Sequence, residues 1–394
     1  MKAEVLVLGG GMSGVVVANE LQSALGKEEE EEVHVSLIDR RRNSQFPPSF
    51  VWVMLGERQP EDVQRELALL QRKGIDVING EVTAIDTERR TVSISSSVTP
   101  RSYDYLVVAL GAEYAPEVIP GFTQYANHNY DLDSALKLRK VLEKFQGGSV
   151  AVGVSRLPYK CPVAPYEAAL LLQDRFAAKE GGNSKTEFAF FTPEEAPLPA
   201  AGPAAGAMAQ RLLKEKGVNI HTKIRLKEIT ERSQVFENGE TIEYDLLYCV
   251  PPHRAPRVVT EAGLADERGW ILSDPKTMET KIPGVYAIGD VAAFRTPKAF
   301  VPYLPKAGTF AVGQARTVAN NIINQVKGTD RKQVYDGHGT CFMEVGGGMS
   351  AEVEGNFFGE EEVVARGAVK FKQPSSELHH EKEELERRWM NRWF

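Results

Sequence analysis

The hydrophobic pattern at the start of the chain predicts a strand, a helix and a second strand in close succession. Residues 5–8 form a short apolar run that is typical of a buried parallel strand. Residues 15–21 continue as an apolar-rich helix, and residues 33–38 form a second strand-like run. This order of elements indicates a parallel α/β sheet.

A glycine-rich turn joins the first strand to the helix. Gly9, Gly11 and Gly14 stand at G-x-G-x-x-G spacing. Such glycines allow a tight turn, a close approach of the backbone to a pyrophosphate, and close packing of helix on strand, while the helix N-terminus attracts phosphate. Asp39 ends the second strand, where a carboxylate accepts a hydrogen bond from a ribose hydroxyl. The features together predict a dinucleotide site, with a purely structural loop as the alternative.

Three later segments suit the flavin part of a dinucleotide. A strand predicted over 103–112 reaches Gly111, where the backbone can turn under the cofactor. Residues 280–290 predict a strand that ends in an acid, which can bind a ribityl hydroxyl. A helix from 309 to about 326 can point the positive end of its dipole at a reduced, anionic flavin ring. A plain core helix is the alternative interpretation.

A second strand-and-turn unit begins near residue 148, after an amphipathic helix predicted over 132–145. Residues 148–154 form its strand, but the turn that follows lacks the further glycines. Pro158 and Pro162 remove backbone N–H groups that a pyrophosphate would use. We therefore expect a second domain of dinucleotide-binding architecture without a bound dinucleotide.

Composition and charge narrow the functional classes. The chain has 394 residues, of which 42% are apolar and 26% charged, as expected for two or three globular domains. A net charge of −7 provides no basic surface for nucleic acid. No apolar run approaches the ~20 residues that span a bilayer, and the first apolar run is already the nucleotide strand, so no signal peptide is predicted. The acidic run at 27–32 is interpreted as a solvated loop.

Three cysteines are too few for a disulfide scaffold. Cys249 lies in the apolar strand predicted over 246–250, which favours a buried core thiol. Cys161 and Cys341 follow turn-rich segments, so we expect both in loops where the sulfur can be reached. Lys160, next to Cys161, would favour a thiolate. The alternative is a pair of unrelated buried thiols.

With these residues in place, the chain resembles the flavoproteins that have two dinucleotide-binding domains. Among them it is similar to the sulfide:quinone oxidoreductase and flavocytochrome c sulfide dehydrogenase branch. The marks shared by the whole superfamily are the glycine fingerprint, residues 109–111 and residues 287–290. The narrower marks are residues 46–53, the Lys160-Cys161-Pro162 loop with Glu167 six residues after the cysteine, and residues 341–344.

The resemblance implies an α/β fold with two Rossmann-like domains, like that of glutathione reductase, and a small C-terminal region. We expect residues 1–113 and 271–328 to form a discontinuous FAD-binding domain. Residues 114–270 would form the second Rossmann-like domain, without bound NAD. Residues 329–394 would form the C-terminal region, which ends in an amphipathic helix.

The resemblance also implies a redox pair. In that family two cysteines about 180 residues apart meet at one face of the flavin, and Cys161 and Cys341 have this separation (341 − 161 = 180). Hydrosulfide would attack Cys161 of a disulfide or sulfur-bridged pair and leave a persulfide, while Cys341 would leave as a thiolate and reduce FAD. Glu167 would relay protons, or would only cap a helix. Electrons would then pass to a quinone near Lys306 and Gly308.

The cofactor contacts implied by the resemblance lie in seven segments. They are Gly9, Gly11, Met12, Ser13, Gly14, Asp39, Arg40, Trp52, Val82, Ala109, Gly111, Gly289, Asp290, Lys306, Ala307 and Gly308. Tyr130 stands where many members have a third cysteine, so we expect non-covalent FAD. Histidines that often transfer protons in the family are missing from residues 197–206.

The end of the chain predicts an amphipathic helix. Leu378, Leu385, Trp389 and Trp393 fall on one face at helical spacing, with charges opposite. This face suits a membrane interface or packing on the protein body or on a second subunit, and the pattern favours neither. A peripheral membrane protein, a cytoplasmic protein and a homo-oligomer all stay open.

Three other functions fit the same residues. The first is an NADH-dependent quinone or disulfide reductase, against which the glycine-poor turn after residue 154 argues. The second is a sulfide dehydrogenase with another electron acceptor. The third is a flavoprotein without catalytic activity that binds a partner.

Overall fold

The computed structural model describes residues 3–24, 33–179, 186–296, 301–358 and 369–394, and the acidic run at 27–32 lies outside them. The described strands, numbered in chain order, are β1 (Ala3–Leu8), β2 (Val33–Asp39), β3 (Asn43–Gln45), β4 (Gln64–Glu66), β5 (Asp76–Asn79), β6 (Val82–Asp86), β7 (Thr91–Ile94), β8 (Arg101–Ser102), β9 (Tyr105–Val108), β10 (Glu113–Tyr114), β11 (Ser149–Val154), β12 (Glu187–Phe191), β13 (Val218–His221), β14 (Leu226–Ile229), β15 (Ser233–Phe236), β16 (Thr241–Glu243), β17 (Leu246–Val250), β18 (His253–Arg254), β19 (Ile271–Leu272), β20 (Val285–Ala287), β21 (Ala292–Ala293), β22 (His338–Gly346), β23 (Met349–Asn356) and β24 (Val369–Ser375).

The described α-helices connect and cover these strands. They are α1 (Met12–Ala24), α2 (Phe50–Leu55), α3 (Phe122–Tyr125), α4 (Leu132–Lys144), α5 (Ala164–Lys179), α6 (Gly202–Glu215), α7 (Arg257–Glu261), α8 (Gly308–Val326) and α9 (Ser376–Arg392). Short 3-10 turns lie at Pro47–Ser49, Pro60–Val63, Leu67–Lys73, Pro116–Val118, Pro199–Ala201 and Gly289–Val291.

The first sheet has five parallel strands in the order β20-β9-β1-β2-β5. Its central strands are apolar along their whole length because helices cover both faces of a parallel sheet. Val5, Val7 and Val107 are fully buried. The edge strand β20 comes from a late segment of the chain, which follows all the strands of the second sheet in the sequence.

The second sheet repeats the parallel architecture with strands in the order β13-β12-β11-β17. α5 crosses from β11 to β12, as α1 does from β1 to β2. This sheet has its own apolar core, which includes Val152, Phe190 and Tyr248. α2, with Phe50 and Trp52, also packs into that core although it follows the first sheet in the chain.

The C-terminal region contacts both cores. The antiparallel sheet β22-β23-β24 places Met343 and Ala351 in the second core. The last turns of α9 place Trp389 and Trp393 in the first core. This region therefore fixes the two Rossmann-like units against each other.

The predicted fold class, α/β with two Rossmann-like units and a small C-terminal region, is confirmed by this architecture. The predicted domain boundaries stay a prediction. None of the helices in the described part of the chain is both long and apolar enough to cross a membrane.

Candidate functional site

The turn between β1 and α1 has the geometry that its glycines require. Gly9 has φ +107°, and a Cβ there would lie 2.3 Å from the carbonyl oxygen of Ala109. A Cβ on Gly14 would lie 1.7 Å from the carbonyl oxygen of Gly9, so only glycine permits this contact of helix with turn. Around Gly11, no described atom beyond its chain neighbours lies within 4 Å of a Cβ. The turn therefore leaves open space at the N-terminus of α1.

Asp39 is fixed at the end of β2, beside this turn. Its carboxylate accepts hydrogen bonds of 2.6 Å from the backbone N–H groups of Gly10 and Arg41. The remaining lone pairs of both oxygens are available to ribose hydroxyls. Arg40 lies at the surface, where its guanidinium is 3.4 Å from Glu81. Val82 is buried at the start of β6.

The segments predicted for the flavin part converge on the same opening. Gly111 has φ +71° and open space around its Cα, as at Gly11. A Cβ on Gly289 would lie 3.0 Å from Ser13 Oγ, and one on Gly308 would lie 2.8 Å from the sulfur of Met12. The N-termini of α1 and α8 therefore point into one cleft, where two positive helix ends favour an anionic ligand.

Lys306 closes one side of this cleft, immediately before Ala307 and α8. Its ammonium donates to the carbonyl oxygens of Asp290 at 2.6 Å and Ala292 at 2.9 Å, and it lies 3.7 Å from the ring centre of Trp270. Burial lowers the pKa of Lys306 to about 8. The side chain thus holds the segment that carries Asp290 in place.

Cys161 lies three residues before α5. Its backbone N–H donates to the carbonyl oxygen of Lys306 at 2.6 Å, which ties the cysteine to the segment before α8. The φ of Cys161 is +56°, a conformation that non-glycine residues seldom adopt. Burial is the main cause that raises the pKa of its thiol, and a hydrogen bond from the N–H of Ala164 opposes this rise.

Cys341 lies in β22, opposite Val353 of β23, so the predicted loop is wrong for this cysteine. The strand is held against α8 because the N–H of Thr340 donates to Thr309 Oγ1 at 3.1 Å. The half-buried side chain packs against both cores. Burial raises the pKa of the Cys341 thiol to about 12.

The structure brings Cys161, Cys341 and Glu167 together. Burial is the largest cause that raises the pKa of Cys161. The charge of Cys341 is the second largest, and that of Glu167 is the third. The charge of Glu167 also raises the pKa of Cys341. All three cysteines are present as thiols. Cys249 is fully buried in β17, and the prediction of a core thiol agrees with this position.

Lys160 does not face the thiol, and the prediction that it favours a thiolate is wrong. Its ammonium lies 5.0 Å from the ring centre of Tyr114, within an aromatic cluster. The cation whose charge lowers the pKa of Cys161 is Lys382 of α9, 221 residues away (382 − 161 = 221).

Lys382 is the central residue of a buried ionic cluster that the sequence analysis missed. Its Nζ lies 2.5 Å from Glu167 Oε1 and 3.6 Å from Glu344 Oε1. The other oxygen of Glu344 is 2.8 Å from His379 Nδ1. Burial alone would lower the pKa of Lys382, but the two carboxylates outweigh it and raise that pKa. Burial raises the pKa of Glu167, against the effect of the ammonium.

Trp52 belongs to this cluster rather than to the cofactor cleft. Only 2% of it is exposed, and its ring lies 4.7 Å from both the Lys382 ammonium and the Arg58 guanidinium. Its ring meets that of His379 edge-on at 5.9 Å. Because so little ring surface is free, the prediction that Trp52 contacts the cofactor is wrong.

The side of the C-terminal helix that carries Trp389 packs on the protein body. Trp389 stacks on Phe46 at 5.8 Å, and Glu386 pairs with Arg58 at 3.0 Å. The predicted face needs one correction, because Leu385 is 42% exposed. Lys382 and Glu386 occupy the buried face instead. A charge within an otherwise apolar helical stripe was the signal that could have identified them.

A second missed group surrounds the predicted position of the third cysteine. The rings of Tyr114, Tyr130, His128 and His253 contact one another, with centres 5.1–6.4 Å apart. Burial lowers the pKa of His128 to about 4 and that of His253 to about 3, so both are neutral at physiological pH. Tyr130 Oη and His253 Nε2 are buried without a hydrogen-bond partner among the described residues.

These features fit an FAD molecule. The two glycine positions with open space, the oriented Asp39 carboxylate and the facing helix ends would hold its pyrophosphate and ribose. The unpaired Tyr130 and His253 atoms offer polar groups on the side where the cysteine pair lies. FAD would supply a two-electron acceptor there.

Comparison with known proteins defines the family. Residues 3–156 and 177–316 match the pyridine nucleotide-disulphide oxidoreductase family. The chain belongs to this family. The predicted flavoprotein oxidoreductase with FAD is confirmed by that membership.

Within the pyridine nucleotide-disulphide oxidoreductases, two relatives named for sulfide oxidation are similar over most of the chain. The mouse mitochondrial sulfide:quinone oxidoreductase is 27% identical over 365 residues, which cover 87% of this chain and 76% of the relative. The sulfide-quinone reductase of Aquifex aeolicus is 26% identical over 393 residues, with 94% and 86% covered. The resemblance predicted from the sequence is thereby confirmed.

The solved structure of the Aquifex aeolicus sulfide:quinone oxidoreductase has the same fold. Its TM-score is 0.88 at 23% identity, and the match covers 99% of this chain and 91% of that one. A relative with another name is the type II NADH:quinone oxidoreductase NdhA of Mycobacterium tuberculosis. It is 27% identical over 359 residues, which cover 83% of this chain and 72% of the relative.

Proposed function

We propose that the protein is an FAD-dependent sulfide:quinone oxidoreductase that oxidises sulfide to sulfur or polysulfide. The observation that carries the proposal is the meeting of Cys161, Cys341 and Glu167 beside the segment that opens α8. The names of the similar proteins from mouse and Aquifex aeolicus support the same substrates.

The burial of the cysteine pair suits a cycle that rests in the disulfide or sulfur-bridged form. A buried thiolate is unfavourable, whereas a disulfide carries no charge. Hydrosulfide attacks the Cys161 sulfur of the Cys161–Cys341 disulfide, the S–S bond breaks, and the products are a Cys161 persulfide and a Cys341 thiolate. FAD, held by the turn at Gly11 and by Asp39, would supply the two-electron acceptor for this pair, with a quinone as the final acceptor.

A matched set of cysteine variants tests this proposal by anaerobic titration with sulfide, followed by the flavin absorbance. Cys161→Ser and Cys341→Ser should each abolish bleaching of the flavin, and the double variant should be little worse because the two residues act as one unit. Cys249→Ala, the control, should bleach like the wild type. Full sulfide-dependent turnover in Cys341→Ser would refute the mechanism.

An NADH-dependent reductase is the second candidate, since one relative is named for NADH oxidation. Two observations argue against it. The first is that Pro158 and Pro162 occupy the turn after β11. The second concerns Glu194, which lies just after β12, where a dinucleotide domain places its ribose-binding acid. Its carboxylate is already engaged in hydrogen bonds within the protein. It accepts hydrogen bonds from Tyr166 at 2.9 Å and Thr192 at 3.0 Å. Rapid bleaching of the flavin by NADH would favour this candidate.

We further propose that the protein works at a membrane surface, because a quinone acceptor is lipid-soluble. The outer face of α9 carries Arg387, Arg388 and Arg392 and the exposed Leu385, a combination that suits an anionic interface. Co-sedimentation with vesicles of anionic and of zwitterionic lipid tests this. Sedimentation equilibrium tests the homo-oligomer, which stays a prediction.

A further inference from the structure

Four titratable side chains form a continuous chain from the cysteine pair towards the protein surface. Glu167 lies next to both cysteines and is 2.5 Å from the ammonium of Lys382. Lys382 is 3.6 Å from Glu344, and the second oxygen of Glu344 is 2.8 Å from His379. The backbone N–H of Glu344 donates to Glu167 at 3.0 Å and keeps the two carboxylates close.

Side-chain exposure rises only at the far end of this chain. The side chains of Glu167, Lys382 and Glu344 are 6%, 4% and 3% exposed, whereas that of His379 is 20% exposed. His379 is therefore the member through which protons exchange with water. An imidazole can accept a proton at one ring nitrogen and release one from the other, as the outer end of a relay requires.

The charges of the cluster require one proton. Glu167 and Glu344 face a single ammonium, Lys382, so the fully ionised cluster has an excess negative charge in a buried place. A proton on Glu167 removes this excess, and so does a proton on His379. The same proton thus has one stable position beside the cysteines and another near the surface.

The charged groups around the cluster do not supply that missing positive charge. Arg58 is paired with both Glu383 and Glu386 of α9. Glu57, which follows α2, faces Glu344 and His379, and Arg175 of α5 lies near Glu57. These neighbours comprise three carboxylates and two guanidinium groups. Because their net charge is negative when all are ionised, they further favour a proton on the cluster.

We propose that Glu167, Lys382, Glu344 and His379 form a proton relay that carries the proton of incoming hydrogen sulfide to solvent. The inference rests on the proposed function and extends it to residues outside the cysteine pair. Neutral hydrogen sulfide gives one proton to the Glu167 carboxylate and becomes hydrosulfide, the nucleophile that attacks Cys161. The Lys382 ammonium and the Glu344 carboxylate pass one proton on to His379, which releases it to water and restores Glu167.

The relay is tested first by the pH dependence of flavin reduction. Stopped-flow reduction by sulfide is measured for the wild type and for His379→Gln, which cannot carry a proton between its polar atoms. The control is His380→Gln, because His380 is the next residue on the same helix, is 73% exposed and forms its ion pair with Glu383 rather than with the cluster. His379→Gln should slow the reduction about tenfold or more at acidic pH, and the deficit should vanish at alkaline pH, where hydrosulfide enters already deprotonated. Imidazole should restore the acidic rate of His379→Ala.

A second measurement does not depend on sulfide. His379 is titrated by NMR in histidine-labelled holoenzyme and in Glu167→Gln, which removes one of the two carboxylates. Glu167→Gln should lower the pKa of His379 by about half a unit or more, because the cluster no longer needs the proton. The pKa of His380 should stay unchanged.

The outcomes separate the relay from the proposed function. A rate deficit in His379→Gln that is the same at every pH, or an unmoved His379 titration in Glu167→Gln, would overturn the relay. Wild-type flavin that sulfide does not reduce would instead refute the proposed function, and the NMR titration would still decide whether the cluster shares a proton.

Discussion

Replacing Lys382 with methionine should destabilise the folded protein more than any other single change in α9. Methionine preserves most of the length and the apolar stem of lysine but removes the ammonium. Glu167 and Glu344, 6% and 3% exposed, would then face each other without a cation. Of these two carboxylates, His379 contacts only Glu344.

The size of this effect follows from burial. Breaking a buried ion pair by removing one partner costs about 3–5 kcal/mol, because an uncompensated charge stays in a medium of low polarity. The upper end applies here, since one ammonium serves two carboxylates and also lies 4.7 Å from the ring of Trp52. Protonation of one carboxyl group would recover part of the loss.

Urea unfolding followed by tryptophan fluorescence measures this loss, with Arg388→Met as the control on the same helix. Arg388 is 71% exposed and pairs with Glu384 four residues earlier. An exposed pair of this kind contributes little to stability, because water and salt screen it. The two variants should therefore differ by several kcal/mol in the free energy of unfolding.

The pH dependence gives the sharper check. Burial already raises the pKa of Glu167, so the folded state holds its proton more tightly than the unfolded state does, and stability falls as pH rises through that raised pKa. Lys382→Met removes the charge that opposes this rise. The deficit should thus be small in acid, where the carboxyl groups are protonated in both states, and grow towards neutral pH. A deficit below about 1 kcal/mol at neutral pH, or one independent of pH, would show that the cluster does not hold two ionised carboxylates around the ammonium.

Four further predictions concern the cofactor and the C-terminal region. Gly11→Val should fold, because the space around Gly11 is open, but should purify without FAD; flavin content measured beside the circular dichroism spectrum checks this. With Pro158 and Pro162 in the second turn, neither NADH nor NADPH should reduce the flavin at a useful rate in stopped-flow mixing. Acid precipitation should leave the yellow FAD in the supernatant, because Tyr130 stands in place of the third cysteine and no covalent link is formed. Deletion from residue 376 onward should give insoluble or FAD-free protein, since it uncovers both cores; soluble, yellow truncated protein would contradict this.

The elements of the first sheet were predictable because their signals are local. The apolar run before Gly9, the glycine spacing and Asp39 all lie within 35 residues of one another (39 − 5 + 1 = 35), and parallel pairing of β1 with β2 follows from the helix between them. The cysteine pair was predictable only through a resemblance, because no local pattern links residue 161 to residue 341. Cys341 was expected in a loop since glycines precede it, yet those residues start β22.

The ionic cluster could not be predicted from hydrophobic periodicity alone. The apolar residues of the last helix predict a buried face that includes Leu385. In the structure, Lys382 and Glu386 are buried instead, at positions between Leu378 and Trp389. A lysine on that face looks unfavourable until its partners are known. Those partners, Glu167 and Glu344, come from 215 residues and 38 residues earlier in the chain (382 − 344 = 38).

The location of the cluster links assembly of the fold to assembly of the site. Glu167 is supplied by α5 of the second Rossmann-like unit, Glu344 by β22, and Lys382 by α9, whose last turn is anchored in the first core. None of these charges is stable when buried alone, because each needs the others for compensation. The carboxylate beside the cysteines therefore reaches its final ionisation state only when the C-terminal region has docked across both units. Docking of α9 thus completes the polar environment of Cys161 as well as the apolar packing of the fold.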